Sequence, residues 1–329
     1  MMIRFGMQKS LGILPRAFIG FRITQMTAIG MKLGLVDALY KVRRPVTVDE
    51  LAVMTSTSPA ALKAWCDYSA ELGLIRRHGH RFSISQKMYH ELVSQGGHAN
   101  YLMSTGPDFV SYRNAIASGR TITHLERNEE YLSELAFAST PTYRYVFDRI
   151  FPRYDLRALL IAGSSAVELG FGGGHGLVMF ANQFPQAKLS GVDISPQAFE
   201  IAGRRLTGSN LDKRVALLKP GELRESQDLI YSVMSFHEFD NKSAAISHYL
   251  GLLTTKGRLL IVDATNPSDA RPREIRLIMG GVNFDEQMQN TPFLTKNDMR
   301  SIFKDAGVVN WIEIDTSAYP AVHAYLIKK

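Results

Sequence analysis

The stretch Val167-Glu168-Leu169-Gly170-Phe171-Gly172-Gly173-Gly174 constrains this chain more than any other. An apolar run ends in a cluster of glycines, and a helical pattern follows at once. Glycine is needed where the backbone turns at positive φ, or where a ligand comes too close for a Cβ. A strand turning this sharply into a helix is typical of parallel α/β sheets, whose ligands sit at the carboxyl ends of the strands. The flanking pattern agrees. Strands are expected at 164–169, 188–193, 228–232 and 258–263, and helices at 174–184, 196–206 and 242–253. That alternation predicts a mostly parallel sheet covered by helices on both faces.

The second expected strand ends in Asp193, placed to accept hydrogen bonds from both ribose hydroxyls of an adenosine ligand. The glycines Gly170, Gly172 and Gly174 are spaced G-x-G-x-G. A dinucleotide fingerprint would need a glycine three residues after Gly172, where His175 stands. Glu168 lies two residues before the first glycine, and a carboxylate there suits a sulfonium and an ammonium better than a pyrophosphate. These residues point to S-adenosylmethionine, with Glu168, Gly170, Gly172, Gly174 and Asp193 as its candidate contacts.

Upstream the texture is different. Residues 18–40 carry apolar groups at helical spacing, and Thr47 with Glu50 forms a capping box opening a helix through Met54. Ser58-Pro59 starts another helix, with Leu62, Trp65 and Leu72 on one face. A short hairpin follows from Leu74 to Ile84, turning at His78-Gly79-His80. Helix, turn, helix and hairpin make a winged-helix pattern. Its second helix offers Lys63 among small and apolar residues, a poor surface for reading base edges. Dimerisation is the expected role. The boundaries expected are 1–100 for this helical, winged-helix-like domain, 101–155 for a helical linker contributing to the substrate pocket, and 156–329 for the cofactor-binding catalytic domain.

Composition narrows the partners. The formal charge of +7 is spread without a run of five basic residues, which predicts a solvated basic surface and no nucleic-acid partner. The apolar stretch from Leu11 to Tyr40 is interrupted by Arg16, Arg22, Gln25 and Lys32, so neither a membrane span nor a secretory signal is expected. Cys66 is the single cysteine, which fits a cytoplasmic protein.

Ser235-Phe236-His237-Glu238-Phe239-Asp240 follows Asp228-Leu229-Ile230 and precedes Gly257-Arg258-Leu259-Leu260-Ile261-Val262-Asp263. This combination resembles the S-adenosylmethionine-dependent small-molecule O-methyltransferases of plant phenolic and bacterial natural-product pathways. The resemblance covers nearly the whole chain, because those enzymes also begin with a helical, winged-helix-like dimerisation domain. It implies a homodimer with a class I, Rossmann-like methyltransferase fold that methylates a small-molecule hydroxyl. It also implies that Glu222 and Leu223 lie beside the adenine, and that His237 is a general base flanked by Asp263 and by Asp298 of Thr295-Lys296-Asn297-Asp298. Family acceptor pockets are lined by the segments matching 142–147 and 276–293, here with Tyr143, Arg144, Phe147, Met279 and Phe293. No metal is expected.

Aspartates stand where the family has glutamates at 263 and 298, Phe239 replaces a tryptophan, and Glu238 replaces an aspartate. These departures keep a sulfur or carbon acceptor open, on a small carboxylic acid of the methylthio-hydroxybutyrate type. Tyr112-Arg113, Arg144, Arg273 and Arg276 would supply its cations. A winged-helix regulator sensing a nucleotide-like ligand is the alternative from another class.

Overall fold

The computed structural model describes residues 12–106, 109–122, 129–160 and 163–329. Leu11, which opens the apolar N-terminal stretch, lies outside the described residues. The chain divides into two compact units, before and after the junction of residues 107 and 108.

The first unit contains α1 (Ile13–Lys32), α2 (Leu35–Lys41), β1 (Val46–Thr47), α3 (Val48–Thr55), α4 (Pro59–Glu71), β2 (Arg76–His78), β3 (Arg81–Ser83) and α5 (Gln86–Ser104). The helix expected over 18–40 is two helices. Gly34 adopts φ 66° and breaks the run after α1, so α2 leaves in a new direction. The capping box forms as expected: Glu50 N donates to the Thr47 hydroxyl at 3.2 Å, and Thr47 N donates to the Glu50 carboxylate at 2.7 Å. The three short strands pair antiparallel in the order β1-β3-β2. Leu35, Leu39, Leu51, Trp65 and Phe82 close a core of their own, and the Trp65 indole donates to the Met26 carbonyl at 3.0 Å.

The second unit opens with helices α6 (Phe109–Ser118), α7 (Glu129–Ala138) and α8 (Thr140–Tyr145). A π-helical turn, Val146–Ile150, carries α8 into α9 (Phe151–Arg153), and α10 (Leu156–Leu159) follows. Alternation then begins: β4 (Ser165–Leu169), α11 (His175–Gln183), β5 (Lys188–Val192), α12 (Pro196–Gly208), β6 (Val215–Leu218), β7 (Gln227–Val233), α13 (Lys242–Gly251) and β8 (Leu253–Ala264). Helices α14 (Arg273–Met288) and α15 (Lys296–Asp305) precede β9 (Trp311–Ile314) and β10 (Val322–Lys328). The seven strands lie in the order β6-β5-β4-β7-β8-β10-β9. β10 runs antiparallel to both neighbours, and the other pairings are parallel. The sheet is mostly parallel, as expected. Strands β6, β9 and β10 go beyond the four anticipated.

Both faces of the sheet are buried, which is why its strands read as continuous apolar runs. Side chains alternate between two cores. Ala166, Leu229 and Tyr231 face a cluster rich in phenylalanine, with Phe147, Phe151, Phe180 and Phe184. Val167, Ile230 and Ile261 face the other, with Phe236, Met299 and Phe303. Each buried valine, leucine, isoleucine, methionine or phenylalanine among them contributes roughly 1.5–3 kcal/mol. The two layers hold the carboxyl ends of β4, β5, β7 and β8 in fixed register.

Candidate active site

The turn after β4 is shaped by contacts within the protein as much as by space for a ligand. Gly170 has φ +70°, and a Cβ there would come within 2.6 Å of the Ser235 side chain. Ser235 cannot retreat easily, because its hydroxyl donates to the Leu169 carbonyl at 2.8 Å. Gly174 has φ +73°, and its Cβ would strike Ala202 of α12 at 2.7 Å. That third glycine therefore seats α11 against α12. At Gly172 a Cβ would point into open space.

Asp193, just past β5, ties the turn down. Its Oδ2 accepts from Gly172 N at 2.8 Å and its Oδ1 accepts from Ser195 N at 2.9 Å. Burial raises its pKa, and the backbone amides that donate to it offset this only in part.

A cavity of about 630 Å³ opens at the carboxyl ends of β4, β5 and β7. Gly170, Gly172 and Gly173 form one wall, Asp193–Pro196 and Pro220 another, and Met234, Ser235, Glu238 and Thr291 the far end. Its surface is mostly apolar, and no lysine or arginine is among the described residues lining it. Its carboxylates are Asp193, Glu238 and Asp240. His175 also faces it, with a pKa lowered to about 4 by burial and by the charges of Arg205 and Arg144, so it is neutral near pH 7.

Glu168 lies fully buried behind the wall, where both Tyr143 and Tyr231 donate hydroxyl hydrogen bonds to it. Burial pushes its pKa up to about 8, although the two hydroxyls favour the ionised form.

At the far end, β7 stops and the chain makes a 3₁₀ turn, Phe236–Glu238. Met234, just before it, holds φ +60°, a left-handed conformation that a bulky residue adopts only under constraint. The turn aims His237 at the end of β8. His237 Nδ1 lies 2.8 Å from Asp263 Oδ1, and His237 N donates to Asp263 Oδ2 at 2.7 Å. The Asp263 carboxylate, also accepting from Ala264 N at 2.9 Å, fixes the imidazole with Nε2 outward from β8. Burial lowers the His237 pKa, but Asp263 and then Glu286 outweigh it, and the imidazole is raised well above its usual range. Phe293 packs edge-on against the ring, 4.9 Å between centroids.

Several sequence-derived candidates stand elsewhere. Asp298 is exposed on α15, where it closes a second capping box with Thr295. The second carboxylate beside His237 is Glu286 of α14, 3.5 Å from Nε2 and buried. Glu222 is exposed and accepts from Lys219 N, and Leu223 is packed in the core. Pro220, not these two, lines the cavity. Gly174 lies outside the lining for the packing reason given above.

Tyr143 does line the cavity, whereas Phe147 belongs to the aromatic core and Arg144 is exposed. Met279 and Phe293 pack against Ala264. Arg113, Arg273 and Arg276 are exposed as well, so none of the cations proposed for a carboxylate acceptor reaches the cavity. Glu286 was not anticipated. Its signal is the buried stripe Met279, Asn283 and Glu286 at helical spacing, a stripe too polar for ordinary core.

Comparison with known proteins finds methyltransferases. Residues 167–259 match a family model described as a methyltransferase domain. Among curated proteins, trans-aconitate 2-methyltransferase of Paracidovorax citrulli is 27% identical over 135 residues, 40% of this chain. The match spans about half the length of that relative, 52%.

Solved structures share the fold from end to end. Human N-acetylserotonin methyltransferase in complex with SAM has a TM-score of 0.69 at 17% identity, covering 97% of this chain and 99% of that one. The mitomycin 7-O-methyltransferase MmcR has a TM-score of 0.67 at 15% identity, covering 96% and 97%. PigF with SAH has a TM-score of 0.66 at 15% identity, covering 97% and 100%. The fold is that of the class I O-methyltransferases with an N-terminal helical domain.

Proposed function

We propose that this chain is an S-adenosylmethionine-dependent methyltransferase acting on a hydroxyl of an uncharged small molecule. One observation carries the reading. A single cavity runs from a glycine turn tied to Asp193 to the turn that holds the His237–Asp263 dyad. The open space at Gly172 and the free rim at Asp193 fit an adenosine-bearing ligand.

When bound, S-adenosylmethionine supplies an electrophilic methyl group on a sulfonium. Gly170, Gly172 and Asp193 would hold it, with Glu168 behind them. The rest is alignment, which can contribute several kcal/mol to an in-line displacement. The acceptor sits at the far end, where Met234 and Thr291 shape the wall and the His237–Asp263 dyad assists ionisation of its hydroxyl. The lack of lysine or arginine in the lining argues against a carboxylate acceptor.

The first unit supports a homodimer. Its helix α1 exposes Ile13, Leu14, Phe18 and Phe21, an apolar face larger than isolated surface residues explain. Its winged-helix-like order does not favour DNA, since Lys63 of α4 is paired with Asp67 at 2.6 Å. No helix among the described residues is long and apolar enough to cross a membrane. The lone free thiol of Cys66, buried, suits a cytoplasmic setting.

Calorimetric titration with S-adenosylhomocysteine, then transfer of labelled methyl from S-adenosylmethionine to a panel of phenols and small acids, tests the proposal. Saturable binding with transfer to phenols is expected. Absence of binding overturns it, and transfer confined to acids overturns the acceptor class.

A further inference from the structure

Among the described residues, the cavity wall formed by α7 and the start of α11 offers side-chain acceptors and no free side-chain donor. Ser139 precedes α8, His175 opens α11, and both line the cavity together with Tyr143. Each has its proton turned into the protein. Ser139 Oγ donates to the Leu135 carbonyl at 3.1 Å, and the Tyr143 hydroxyl donates to Glu168. His175 Nε2 lies 2.8 Å from Thr140 Oγ1. The single proton of that hydroxyl goes to the Phe137 carbonyl at 2.5 Å. Thr140 Oγ1 therefore accepts from His175, so Nε2 carries the ring's proton and Nδ1 is a bare lone pair. Phe137 packs edge-on against the ring, 5.6 Å between centroids, and holds its plane.

We propose that His175 Nδ1 and Ser139 Oγ accept hydrogen bonds from the ammonium group at the amino-acid end of S-adenosylmethionine. This assignment rests on the cofactor reading above. An ammonium carries three N–H donors and no lone pair, which makes it the complement of such a wall. A carboxylate would meet lone pairs only. The wall therefore also decides which way round the amino-acid end lies.

The surroundings leave this task to the wall. Glu168, the carboxylate that the glycine motif suggests for it, does not line the cavity, and its two oxygens accept from Tyr143 and Tyr231. Arg205 reaches the same turn, but its guanidinium donates to the Gly173 carbonyl and to Ser133 Oγ, the latter at 3.4 Å. A Cβ at position 173 would stand 2.9 Å from Ala136 Cβ, so a glycine there lets α7 press against the turn. The ring of His175 is neutral near pH 7, which keeps the Nδ1 lone pair available to a donor. A dinucleotide fingerprint would place glycine at 175. The residue that departs from that pattern is the one that meets the ammonium.

Calorimetric titration of the full-length protein with S-adenosylhomocysteine, and with its deamino analogue that keeps the carboxylate, gives the test. Loss of the amino group should weaken binding by about 10–100-fold, the range for hydrogen bonds to a charged group. His175→Phe keeps a ring beside Phe137 but has no lone pair. It should weaken S-adenosylhomocysteine by about tenfold and change the deamino analogue by less than about twofold. His175→Asn, whose carbonyl oxygen stands near the place of Nδ1, should recover most of that loss. In the parent protein with isotope-labelled histidine, the Nδ1 resonance of His175 should move on adding S-adenosylhomocysteine and stay in place with the deamino analogue. Equal weakening of both ligands in His175→Phe would reduce the ring to wall packing and overturn the proposal, as would an unmoved Nδ1 resonance. A parent protein that binds neither ligand overturns the cofactor reading itself, and the proposal with it.

Discussion

Tyr143 donates its hydroxyl to Glu168, a carboxylate with no exposed surface, while its ring forms part of the cavity wall. The pair joins the helical segment of α8 to the strand that launches the glycine turn. Gly176 of α11 leaves room for it, since a Cβ there would lie 2.3 Å from the Tyr143 ring and 2.6 Å from Glu168. A buried carboxyl group in this position couples the turn to pH.

Glu168 should make the unliganded protein less stable as pH rises. Its pKa is about 8 when folded, against an ordinary glutamate value of 4.5. The folded state therefore holds a proton that the unfolded chain has lost. The resulting stabilisation is fully present below about pH 4.5 and disappears as pH passes 8, a change on the order of a few kcal/mol. Glu168→Gln removes this dependence. Thermal melts from pH 5 to 8.5 should show the variant gaining on the parent protein as pH rises. A constant difference between them would count against the assignment.

Asp193 should govern cofactor affinity more than fold stability. Its two oxygens already anchor the amides of Gly172 and Ser195 at the cavity rim. Loss of a charged acceptor for ligand hydroxyls costs roughly 1.5–3 kcal/mol, or about 10–100-fold in affinity. Calorimetry on Asp193→Ala with S-adenosylhomocysteine should show that weakening. Unchanged affinity would reduce Asp193 to a staple of the turn.

Gly174→Ala should destabilise the second unit. The new methyl meets Ala202 at 2.7 Å in a backbone conformation, φ +73°, that side chains disfavour. Strain and overpacking together amount to roughly 2–4 kcal/mol. Denaturant unfolding should show a lower midpoint with an unchanged slope. A midpoint equal to that of the parent would mean that α12 shifts freely, contrary to the packing described.

These sites differ in how far local sequence reveals them. The glycine turn, Asp193 and the His237–Asp263 pair are legible because each sits at the end of a strand whose neighbour is fixed by parallel pairing. β7 lies beside β8, so the residues just past β7 meet the end of β8. Asp298 misled for a physical reason: a threonine followed three residues later by an acid is also a helix N-cap, and that use prevails here. Glu286 was hidden because α14 carries no motif, and its position depends on how that helix packs. The break at Gly34 was missed because apolar periodicity persists across it, while the left-handed φ of one glycine redirects the chain.

His237 should be needed for turnover and not for cofactor binding. Its imidazole is held by Asp263 through both Nδ1 and the backbone amide, and it lies beyond the glycine wall. Removing a group that promotes ionisation of an acceptor hydroxyl costs about 10²–10⁴-fold in rate. His237→Ala should therefore lower kcat by that order once an acceptor is found, while affinity for S-adenosylhomocysteine stays within about twofold. Asp263→Asn keeps the shape but donates where Nδ1–H also donates, so it should lose nearly as much. A His237→Ala enzyme with almost full turnover would mean that the acceptor reaches the cavity already nucleophilic, as a thiol or an activated carbon would.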